Sequence, residues 1–121
     1  MKTPYRVNVT SEDRDRADLV MQITALRLGT PMEVLTRPGR LSHSAVRVRR
    51  VSLYVAHVAL GWSLERTGHA FGMNRQTVGT ACTRIEEARG QEPLESLLDE
   101  LVETIQALCE AAPITNLPDV A

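Results

Sequence analysis

Residues 63–85 read SLERTGHAFGMNRQTVGTACTRI, and this stretch decides the fold. Ser63 suits an N-cap, because its hydroxyl can accept a hydrogen bond from an orphan amide of the first turn. Leu64, Gly68 and Phe71 follow at i, i+4 and i+7, which is one helix face. Gly72 ends that helix, since glycine takes the left-handed conformation a C′ position needs. Asn74 caps a second helix, on which Val78, Ala81, Cys82 and Ile85 form an apolar stripe. Gln76, Thr80, Thr83 and Arg84 occupy its other face. Two short amphipathic helices around a glycine turn predict a helix-turn-helix. A plain helical hairpin with a merely solvated polar face has the same pattern.

The second helix begins with Arg75, Gln76 and Thr77. These side chains can donate to bases or phosphates, and they sit where recognition helices touch DNA. Arginine can bridge the two acceptors of guanine, and glutamine suits adenine. Gly79 is unexpected on this helix, because a mid-helix glycine costs about 1 kcal/mol relative to alanine. A close approach of its backbone to DNA or to a neighbouring helix would offset that cost.

The 121 residues are enough for one domain with a modest core. Aromatic residues make up 3% of the chain, so the core must come from Leu, Val, Ile and Ala, which suits helices. The net charge of −1 hides an asymmetry. Residues 34–85 hold eight arginines (37, 40, 47, 49, 50, 66, 75 and 84) and one acid, Glu65, a net +7; the remainder carries −8. A basic middle between acidic ends is the electrostatic footprint of a polyanion-binding face. Only Lys2 among the basic residues is a lysine. Arginine's planar fork suits phosphate and guanine, though a GC-rich genome produces the same bias.

Outward from the decisive stretch, residues 1–10 form a polar lead-in where Tyr5, Val7 and Val9 pack or fray. Thr10 or Ser11 caps a first helix to about residue 28, with Glu12, Asp13 and Asp15 favourably placed in its first turn. Ala17, Val20, Met21, Thr24 and Leu28 make its buried face, and Gly29 stops it. Thr30, Pro31 and Glu33 predict a capping box that opens a short second helix to about residue 35. Residues 37–44, RPGRLSHS, are a basic loop that either reaches a phosphate or minor groove or is a solvated connector. Ser42 or Ser44 opens a third helix to about residue 60, with Val51, Tyr54, Val55 and Val58 inward. Arg47, Arg49 and Arg50 crowd its first two turns, the wrong end for cations, and a bound phosphate would relieve that conflict. Trp62 is a packing anchor. The helix after Asn74 runs to about residue 89, and Gly90 ends it. A last helix covers residues 94–111, with Leu94, Leu97, Leu98, Leu101, Ile105 and Leu108 apolar and Glu95, Asp99, Glu100, Glu103 and Glu110 elsewhere. Residues 1–111 therefore form one domain, and 112–121 a flexible tail.

Cys82 and Cys109 lie far apart on apolar helix faces and read as core residues in a reducing compartment. There is no signal-peptide pattern and no apolar run of membrane-spanning length, which predicts a cytoplasmic protein. His43, His57 and His69 show no metal spacing and no nucleophile partner. No GxxxxGK[ST] loop occurs, so no nucleotide is expected. Neither a catalytic residue, a metal nor a cofactor is anticipated.

The motifs AFG at 70–72, TV at 77–78, AC at 81–82 and RIEE at 84–87 resemble, in order, the signature AFGGRDHTTVLHACRKIE of the C-terminal DNA-binding domain of the replication initiator DnaA. One turn residue is missing. The likeness runs from about residue 18 to 108 and includes the helix order and the basic loop. It implies an all-α helix-turn-helix bundle of about six helices, like that domain and the Trp repressor. By this resemblance Asn74, Arg75, Gln76 and Thr77 fall on the family's base-reading positions, although only Thr77 keeps the family residue. Arg40 corresponds to the arginine that enters the minor groove. Arg47, Arg49 and Arg50 resemble the phosphate-contacting start of the long helix, and Arg37, Ser63, Thr80 and Arg84 complete the expected phosphate set. Asn-Arg-Gln replaces the family's Asp-His-Thr, Thr67 its usual isoleucine and Gly79 its usual leucine, so the preferred site is expected to differ from the initiator box.

The resemblance implies a stand-alone, sequence-specific reader of double-stranded DNA in the nucleoid. The first expectation is a transcription activator similar to the small DnaA-like regulators of gene-transfer-agent clusters. Its acidic last helix or tail would face polymerase or a co-activator. The alternatives are a replication-control protein on initiator boxes and a protein–protein module with the same fold. No membrane partner is expected.

Overall fold

The computed structural model describes residues 9–119. The expected packing of Tyr5 and Val7 lies outside them. Six helices and no strand occur among the described residues: α1 Ser11–Leu28, α2 Met32–Thr36, α3 His43–Leu60, α4 Leu64–Phe71, α5 Arg75–Ala88 and α6 Leu94–Glu110. The all-α bundle anticipated from the sequence is therefore present.

The chain makes its turns with local polar side chains. Thr10, Ser42, Ser63 and Asn74 each accept a hydrogen bond from the backbone N–H three residues on, at 3.0, 3.2, 3.0 and 2.7 Å. Each bond satisfies an amide that the first helical turn leaves orphaned. The capping box expected at residues 30–33 does not form; Pro31 precedes α2 without a side-chain cap. Thr30 is committed to the previous helix instead: its N–H donates to Ala25 O at 2.9 Å and closes α1 behind Gly29.

α3 runs through the middle and packs against α1, α4, α5 and α6. Its faces are consequently buried nearly all round, including Ser52, Leu53 and Ala56. The main core gathers Val20, Leu53, Val55, Val78, Leu98 and Ile105. A smaller cluster of Ala25, Leu35, Ala45 and Val48 lies to one side, with Leu41 packed against it. It fastens α2 and, through Leu41, the basic loop to the amino-terminal half of α3. Trp62 is buried, as an anchor should be.

Two side-chain expectations need correction. Val58 is 40% exposed rather than in the core, because it falls in an open groove beside α5 that none of the described elements covers. Leu108 is 53% exposed, as α6 extends beyond the elements it packs on. Asp13 lies in the first turn of α1 as expected, and it is also buried and receives two hydrogen bonds from Arg66, at 2.9 and 2.8 Å. Arg66 in turn lies 5.1 Å over the Trp62 ring. A second polar strap joins α3, α5 and α6. Arg89 donates to Tyr54 Oη at 2.7 Å and to Asp99 at 2.6 Å, and Tyr54 donates to Glu86.

Candidate nucleic-acid interface

The two helices and the glycine turn expected for residues 63–85 are all present. Gly72 has φ 72°, and its N–H returns to carbonyls of the last turn of α4. Gly68 is required for a different reason: a Cβ there would stand 2.5 Å from the Met73 carbonyl oxygen. This close approach lets the chain double back at once into α5. Val78, Ala81, Cys82 and Ile85 are buried, which fixes the rotation of α5 about its axis. Gln76, Thr77, Thr80, Thr83 and Arg84 are left exposed. No acid lies in the first turn of α5 or of α3, so both helical amino-termini keep their partial positive charge beside these residues.

α5 stands as a ridge between two unlike concavities. On one flank a cavity of about 440 Å³ brings Arg49 and Arg50 of α3 against Asn74, Gln76, Thr77 and Thr80 of α5, with Leu41 of the basic loop at its edge. An adjoining concavity shares Arg50 and adds Arg47 and Arg84. Arg84 of α5 thus meets Arg47, Arg49 and Arg50 of α3 beside the ridge, and it borders the opposite groove as well. Arg49 Nε is sealed from solvent without a hydrogen-bond partner. Such a donor costs about 1–3 kcal/mol unless something satisfies it. Arg49 thus lines the groove with Nε buried among its neighbours.

The opposite flank is a wider groove of about 1330 Å³. Tyr54, His57, Val58, Leu64 and Cys82 form its wall, and Glu86 and Glu87 lie at one end. Arg75 belongs to this flank, 68% exposed with Nη1 3.7 Å from Glu65 Oε1. Gln76 and Thr80 line both grooves and so sit on the crest.

The structure therefore groups most of the predicted residues, but not all. Gln76, Thr77, Thr80, Arg47, Arg49, Arg50 and Arg84 converge on one side. Arg75 lies across the crest from them. Asn74 spends its side-chain oxygen on the Thr77 N–H, which leaves only its amide hydrogens to face outward. Ser63 lines neither groove, and its hydroxyl accepts from the Arg66 N–H. Arg37 and Arg40 are exposed on the loop, connected to the arginine groove through Leu41. The sequence missed that Arg66 is bound to Asp13, since a pairing across 53 residues leaves no local signal. It also gave no hint that Arg49 Nε would be buried.

Among the described residues no His, Cys, Asp and Glu group has the make-up of a metal site, and no helix is long and apolar enough to cross a membrane. Burial, and after it the charge of Glu86, pushes the Cys82 thiol above its ordinary range. No family model matches the chain, and no curated protein matches it.

Proposed function

We propose that this chain is a sequence-specific reader of double-stranded DNA, with the ridge of α5 in the major groove and the 37–42 loop at the minor groove. The observation that carries the reading is the convergence of Arg47, Arg49, Arg50 and Arg84 on the exposed flank of α5 that presents Gln76, Thr77 and Thr80. A phosphate strand following that flank would meet guanidinium donors and two helix amino-termini. Gln76 and Thr80 on the crest, with Arg75 beside them, supply the donors and methyl groups that distinguish bases in a major groove. In the resemblance to the DnaA domain the base-reading positions fall on Asn74, Arg75, Gln76 and Thr77, and Thr80 is a phosphate contact.

The biological role proposed is transcription regulation, with activation as the expected sign. The exposed acids of α6, among them Asp99, Glu103 and Glu110, point to a second surface that DNA would repel and a protein partner can use. Selection of bound duplexes from a random pool, followed by mapping of occupied sites across the genome, tests this reading. A common motif concentrated at promoters is expected. Concentration at initiator boxes would make it a replication-control protein instead, and failure to retain any duplex at low salt would sink the DNA reading altogether.

A further inference from the structure

Gly79 has no structural reason to be glycine. It lies inside α5, where glycine weakens a helix relative to alanine. Its φ is not among the positive values that favour glycine. An added Cβ would meet only Leu64 Cδ1, at 3.7 Å, an ordinary contact. The neighbouring helix therefore leaves room for a side chain, unlike the backbone that crowds Gly68. Among the described residues nothing requires the bare backbone, and a bound partner would account for it.

The surroundings state what that partner would be. Thr83 is exposed, but its hydroxyl donates to the Gly79 carbonyl at 2.9 Å. That bond uses the hydroxyl's proton, although its oxygen can still accept, and the side chain also carries a methyl group. The uncovered Gly79 Cα, the Leu64 side chain and the Thr83 methyl together make an apolar nook in the groove that also holds Arg75 and Gln76. This groove sets Arg75 and Arg84 against Glu86 and Glu87, so it lacks the net positive charge of the arginine flank. The edge of a base pair fits it better than a phosphate. In the major groove the apolar feature of that edge is the C5-methyl group of thymine.

Resting on the DNA reading above, we infer that Gly79 and Thr83 select thymine, whose methyl seats against the Gly79 Cα while Arg75 and Gln76 contact neighbouring bases. The test takes duplexes selected by the full chain and replaces each thymine in turn with deoxyuridine, which removes only the methyl. Loss of one buried methyl predicts about fourfold weaker binding at one position of the site. Gly79→Ala should fill the nook and abolish that thymine preference without lowering the melting temperature. Thr83→Ser keeps the hydroxyl bond, removes the methyl and should reduce the preference. Insensitivity to deoxyuridine at every position overturns the inference, as does an undiminished preference in Gly79→Ala, and both would leave DNA binding intact. If no duplex is selected at all, the DNA reading fails and this inference with it.

Discussion

Gly68 and Gly79 have the same formula and opposite duties. At Gly68 a Cβ would overlap the Met73 carbonyl, whose approach closes the turn between α4 and α5. Gly68→Ala is expected to destabilise the fold by about 1–3 kcal/mol, the usual cost of overpacking, measurable by denaturant unfolding. The helical pattern had counted Gly68 merely as one position of an apolar face; its clash with residue 73 becomes visible only once the turn is built. The arginines divide similarly. Arg75→Ala removes a group beside the crest of α5 and should cost roughly 1–3 kcal/mol of binding while relaxing base preference. Arg49→Ala, by contrast, should weaken all sequences alike, since Arg49 sits in the arginine-lined wall. Competition assays against cognate and scrambled duplexes distinguish the two outcomes.

α1 is fastened to α4 by the strap Asp13–Arg66–Trp62, and this strap makes stability depend on pH. Hydrogen bonds from Arg66 hold the Asp13 carboxyl below its ordinary value of 3.8, and they outweigh the opposing effect of burial. The folded state thus binds the Asp13 proton more weakly than the unfolded chain does. The resulting stability is fully present above the ordinary carboxylate range and is lost as the pH falls through the lower folded value. Asp13→Asn should be less stable than the parent by about 1–3 kcal/mol at neutral pH, and the gap should shrink below about pH 4. Unfolding curves from pH 7 to 3 check this. Elements themselves were legible because their signals are local: Thr10, Ser42, Ser63 and Asn74 cap helices within three residues of their own positions. The capping box at residues 30–33 failed because Thr30 could serve only one helix, and closing α1 used its backbone. Val58 was misplaced because helical periodicity reports a face of α3 without saying how far α5 covers it. The candidate site was legible where it is contiguous, from Gln76 to Arg84, and illegible in which flank of α5 each arginine joins.

For the molecule as a whole, the sum of charges says little and their placement says much. Of the eight arginines in residues 34–85, Arg66 is neutralised by Asp13 and Arg75 faces Glu65. Arg47, Arg49, Arg50 and Arg84 gather beside α5, and Arg37 and Arg40 stand on the adjoining loop. Arg27, bound to Glu100, helps hold the acidic α6 against α1, a helix that does not contribute to the arginine groove. The central claim is that this arginine groove receives a phosphate backbone. Its most direct test is the salt dependence of binding to a selected duplex. About five phosphate contacts, from Arg37, Arg47, Arg49, Arg50 and Arg84, predict a log–log slope of about −4 to −5. Replacing Arg47, Arg49 and Arg50 together with alanine should make it shallower by about 3. A slope near zero in the parent chain, or an unchanged slope in a folded triple variant, would contradict the account.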